Sequence, residues 1–138
     1  MDYTKLGRAQ HDELLDIAAK IAAHLHVDEL MNDDSEVLSL LAVLLGKLSV
    51  HLEMEDQILY PKLLGQADEE TKSVARRFIA EMGGIGNSID AYEKKWLPAS
   101  EIQKDPSGFI EQTKSVFDVL AARIEKENNE MYELLDEL

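Results

Sequence analysis

Apolar residues recur three and four positions apart along almost the whole chain, and that spacing admits little besides packed helices. The first such segment runs from about Leu6 to Met31, with Leu14, Ile17, Ala18, Ile21, Ala22 and Leu25 as its stripe. Asn32-Asp33-Asp34-Ser35 breaks the pattern and is suited to cap a following helix. Glu36 to Leu64 then reads as one long helix, with Pro61 bending or ending it and Gly65 beyond. A third segment opens on Asp68-Glu69-Glu70 and continues through Val74, Phe78, Met82, Ile85, Ile89, Tyr92 and Trp96. Gly83, Gly84 and Gly86 inside it predict a close helix approach or a local kink. A loop from Leu97 to Gly108 follows, in which Asp105-Pro106 supplies an N-cap and a first helical residue. The fourth helix runs from about Pro106 to the end on Phe109, Val116, Phe117, Leu120, Ile124, Met131 and Leu134. Four long amphipathic segments with short connections, and no strand pattern, predict a single all-α domain over residues 1–138, an up-down-up-down four-helix bundle.

Composition narrows what such a bundle can do. There is no cysteine, so disulfides, iron–sulfur clusters and thiolate ligands are excluded. The net charge of −14 opposes binding to nucleic acid and to anionic membranes. Lys47 and His51 interrupt the longest apolar run, and Met1-Asp2-Tyr3-Thr4-Lys5 lacks a signal-peptide hydrophobic region. The expectation is a cytoplasmic protein, monomer or homodimer, without nucleic-acid or membrane partners.

Within the second segment, His51 and Glu55 stand four apart and so share one helix face. That face is the leucine stripe of Leu41, Leu44, Leu45, Leu48 and Leu59. An imidazole and a carboxylate placed there are costly unless satisfied, and a bound metal ion would satisfy both. The chain then nearly repeats itself 72 positions on. Glu53, Glu55, Tyr60 and Leu63 recur as Glu125, Glu127, Tyr132 and Leu135, with Arg123 where the first copy has His51. Glu127 again lies in an apolar ridge, among Leu120, Ile124, Met131 and Leu134. Two helices that each present a core glutamate predict one shared site, with His11 on the first helix as a third contributor.

The run His51-Leu-Glu-Met-Glu55-Asp56-Gln-Ile-Leu59-Tyr60-Pro61, with Gln10-His11-Asp12 on the first helix, resembles the hemerythrin-like (HHE cation-binding) family over essentially the whole chain. The resemblance implies a bundle core holding a non-haem di-iron centre bridged by two carboxylates, used for oxygen binding, sensing or storage-related roles. The ferritin-like Glu-x-x-His motif is absent, since no histidine has a glutamate three residues before it.

Two positions depart from the family pattern. Arg123 replaces a histidine at the start of the fourth-helix motif, and Met82 stands where the third helix would supply another. Carried over residue by residue, one half-site survives as His11, His51, Glu55 and Glu127, enough for one iron or other divalent ion with positions left for water or a small ligand such as dioxygen. On the other reading, Arg123 pairs with Glu55 and Glu127 in the ion's place, and the bundle is a metal-free regulatory or protein-interaction module. A third reading gives an open iron site chemistry on peroxide or nitric oxide. A binding or sensing domain fits better than an enzyme. Of the remaining candidates, His24 and His26 read as solvated, Met82 and Met131 as core filler, and Tyr60 and Tyr132 as bundle-end hydroxyls or, near the site, as tyrosines that shape a ligand pocket. Glu53, Glu125 and Glu130 read as outer-face charge, and Glu81 as the one third-helix carboxylate able to replace a ligand.

Overall fold

The computed structural model describes residues 1–138 and contains helices and no strand. Helix α1 spans Tyr3–Ala22 and is capped by Asp2, which accepts from the Lys5 amide. The first segment does not continue to Met31. It turns at Ala23–His26, and a short α2, Val27–Asn32, brings Leu30 into the core beside Leu25. The second rod is built of α3 (Ser35–Met54), a π-helical turn (Glu55–Leu59) and α4 (Tyr60–Leu64). The third is α5, Glu69–Trp96, capped by Asp68. A four-residue helix, α6 (Glu101–Lys104), occupies the predicted loop. The last rod is α7 (Pro106–Lys126) with Asp105 as its cap, a second π-helical turn (Glu127–Met131), and α8 (Tyr132–Asp136).

Contacts between the rods pair early residues with late ones. Arg8 holds Asp136, Glu13 meets Lys47, Arg77 meets Glu130, and Trp96 donates to Gln112. The last rod therefore runs opposite in sense to the first and to the third. The most apolar 18-residue window of the rod Ser35–Leu64 has a mean hydropathy of 1.7, so by length and composition alone the rod could cross a membrane, Lys47 and His51 notwithstanding. In the fold its Leu41, Leu44 and Leu48 are core residues.

The core has two apolar parts. One holds Leu14, Ile21, Leu44, Leu48, Phe109 and Ile124, and the other holds Met54, Leu59, Phe78, Met131 and Leu135. Between them, in the register of the helices, lie His11, His51, Glu55, Arg123 and Glu127, each 5 % exposed or less. Gly83, Gly84 and Gly86 do not seat a close neighbour. The helix is unbroken there, and a Cβ at any of the three would meet nothing within 4 Å.

Candidate metal centre

His11 arrives from the middle of α1, His51 from the last turn of α3, and the two glutamates from the π-turns. The 72-residue repeat is thus a structural one. Tyr60 N–H reaches back to Glu55 O and Tyr132 N–H to Glu127 O, each wider by one residue than an α-helical bond. Pro61 follows the first wide turn without ending the rod, because the wide turn relieves its clash with a carbonyl four residues earlier. Nothing in the residue types announces these turns; only the repeat links them.

The ligand-type atoms of His11, His51, Glu55 and Glu127 all lie within 4.8 Å of one another. His11 Nε2 is 2.8 Å from Glu127 Oε1 and 3.0 Å from His51 Nε2, and His51 Nε2 is 3.2 Å from Glu55 Oε2. The outer nitrogens are held too. His11 Nδ1 faces Asn128 Oδ1 at 2.8 Å, and His51 Nδ1 faces Gln10 Oε1 at 2.7 Å. An amide oxygen only accepts, so each Nδ1 carries a proton, and each Nε2 turns a lone pair inward when its ring is neutral and donates when the ring is protonated. Two lone pairs at 3.0 Å repel unless a cation lies between them, either a proton or a metal ion. A metal with bonds of about 2.1 Å places ligand atoms at right angles roughly 3 Å apart, close to the spacings observed. The donor set fits a divalent ion.

A hemerythrin HHE cation-binding domain model matches residues 4–135. The chain belongs to that family. Comparisons with curated proteins and with solved structures return no match.

Arg123 takes the other side of Glu127 from the histidines. Its Nε donates to Glu127 Oε2 at 2.7 Å, and its Nη2 to the Phe78 carbonyl at 2.9 Å and the Tyr60 hydroxyl at 3.0 Å. The guanidinium also lies 4.6 Å from the Phe78 ring centre. Glu127 is thereby shared, one oxygen toward the histidines and the other toward Arg123. The predicted direct pairing of Arg123 with Glu55 is not made; Tyr60, donating to Glu55 Oε1 at 3.5 Å, stands between them. Met82 and Arg123 line one small niche with His51 and Glu127. Glu81 is partly exposed and occupied by Lys126 and Arg123, too far out to stand in for a ligand. His24 is partly exposed against Glu29 and His26 is exposed, as expected.

Sequence reasoning gave no role to two residues of the site and placed two others first at the bundle end. Gln10 and Asn128 fix the imidazole tautomers, and Tyr60 and Tyr132 are not bundle-end hydroxyls. Tyr132 stacks on the His11 ring and donates to Glu55 Oε2 at 2.9 Å. Burial, beside the charges of Glu55 and Glu127, pushes both phenols far above their ordinary range, so they remain donors. Their place by the site follows the alternative reading of a tyrosine that shapes the pocket, and both recur in the repeat. Gly7 makes room for Tyr132, since a Cβ there would lie 2.4 Å from the tyrosine oxygen. Gly7→Ala is expected to destabilise the protein by about 1–3 kcal/mol, as overpacking does, measured as a lowered urea midpoint.

Without metal, the cluster is balanced by protons. Burial alone would lower the His51 pKa, but hydrogen bonds to Glu127 and Glu55 overcome it and raise it to about 9. Burial would likewise raise Glu127; the bonds from His11 and His51 and the Arg123 charge hold it well below the carboxylate range. Burial dominates at Glu55 and raises it, with the Glu127 charge adding to the effect and His51 opposing it. His51 is the group that titrates above neutrality. A folded-state value above the ordinary 6.5 means its stabilisation is complete below pH 6.5 and is lost as pH rises to about 9. Chelated protein should lose on the order of 3 kcal/mol across that window, read from urea midpoints.

Proposed function

We propose that this hemerythrin-like chain is a binding or sensing domain that holds one non-haem iron, or a comparable divalent ion, through His11, His51, Glu55 and Glu127, and presents it to dioxygen or another small ligand. The observation that carries the reading is the pair of inward Nε2 atoms, 3.0 Å apart, each fixed by an amide oxygen on its far side. Such outer partners orient metal-ligating histidines and raise their basicity. Bound iron(II) would supply open coordination positions and one-electron chemistry. The chain's own groups do the rest. Tyr132 and Tyr60 hold the Glu55 carboxylate in place, the two apolar parts of the core exclude bulk water, and Arg123 fills the space of a second ion. A single ion is therefore the expected stoichiometry.

Protein purified after iron-supplemented expression should contain about one iron per chain, and a content under about a tenth would remove the reading. Metal at a hundred times its Kd should add about 2.7 kcal/mol of stability, and His51→Ala should abolish that gain. Because the ion displaces the His51 proton, affinity should climb as pH rises from 6.5 toward 9.

The metal-free module is the second reading, favoured by one observation. No buried side-chain polar atom lacks a partner even without an ion, and Arg123 already neutralises Glu127. It requires that a chelator leave the melting temperature of the purified protein unchanged.

A further inference from the structure

Beside the edge formed by His51, Arg123 and Glu127 lies a niche of about 10 Å³, otherwise walled by aliphatic side chains and Met82. That is about the least space a water molecule occupies, and a buried water needs two or more polar partners. Each buried polar side-chain atom around it already has a partner within the protein, and six of the nine lining residues are hydrophobic. Its chemistry suits a small apolar molecule instead.

Two open clefts of about 300 Å³ each run along the seam between α3 and α5 on the outer side of the same wall. Leu52 lines the niche and both clefts, and Met82 lines the niche and one of them. Both side chains are half-buried. Gly86 borders both clefts and puts no side chain across the seam, where a Cβ would meet nothing within 4 Å. The rim carries Asp56, Asp90 and Glu93, a field that disfavours anions.

We propose that the α3–α5 seam is the entry to the metal centre, with Met82 and Leu52 as the aperture that admits a neutral diatomic molecule and holds back water and anions. The thioether of Met82 is unbranched and swings between rotamers more readily than a branched side chain. The inference rests on the proposed function for its purpose, but its test needs no metal. Failure of metal binding would show in the iron content, not here.

The test uses the full chain, free of metal and with labelled isoleucine and leucine methyls, and measures relaxation by dissolved dioxygen. Ile124, 3 % exposed, lines the niche, and Leu59, 1 % exposed in the other part of the core, is the control. Oxygen should relax the Ile124 methyl several-fold more than Leu59. Met82→Ala should increase the Ile124 effect several-fold, and Gly86→Leu, which covers the seam from open space, should reduce it by as much. Met82→Leu keeps the volume and checks that any change is not general loosening; its Leu59 value should match that of the native chain. Equal relaxation at Ile124 and Leu59, or an Ile124 value indifferent to both Met82→Ala and Gly86→Leu, would overturn the assignment.

Discussion

Arg123→Met should cost the metal-free protein about 3–5 kcal/mol, the penalty for removing one partner of a buried ion pair. The size follows from what Arg123 touches. Its side chain is 3 % exposed and satisfies Glu127 Oε2, the Phe78 carbonyl and the Tyr60 hydroxyl at once. Methionine fills much of the volume and supplies none of the donors, so Glu127 is left with the histidines alone. A divalent ion at the four-residue cluster would return positive charge to the same carboxylate. The loss should therefore be smaller in metal-loaded protein than in chelated protein, by urea denaturation of the two forms side by side. An equal loss in both would mean that no ion reaches Glu127.

The second large effect concerns how many ions the bundle holds. Arg123→His combined with Met82→His should raise iron content toward two per chain, because both positions line the niche beside Glu127. The double replacement removes the guanidinium that fills this space and puts two imidazoles in its place, and Glu127 Oε2 becomes free to ligate. In the absence of metal the variant should be less stable than the native chain, for the reason given for Arg123→Met. With metal, part of that stability should return, since an ion bound only by the folded state stabilises it. Iron content that stays at one or below after supplementation would mean that the half-site no longer has room.

Much of the site was legible in residue spacing. The helical period put His51, Glu55 and Glu127 on apolar stripes, and the near-repeat tied the two glutamates together before any coordinates. The same period could not reveal the π-turns at Glu55 and Glu127, because a one-residue widening leaves residue types unchanged. It also overran α1, since the stripe through Leu25 continues smoothly across a turn that only packing at the bundle end requires. The glycines of α5 misled for a related reason. A glycine in a sequence records that no side chain is present, and only the fold tells whether the space is filled or open.

By itself, then, the order of residues determined four apolar-faced rods and a cysteine-free donor set, because these depend on composition and on a period set by the backbone. The tertiary structure alone decided which atoms meet. Asn128 reaches His11 across 117 residues, Gln10 reaches His51 across 41, and Arg123 meets Glu127 directly but Glu55 only through Tyr60. Rotation and offset of whole helices set those encounters, and they are fixed by how complete side chains pack, not by any one segment's pattern.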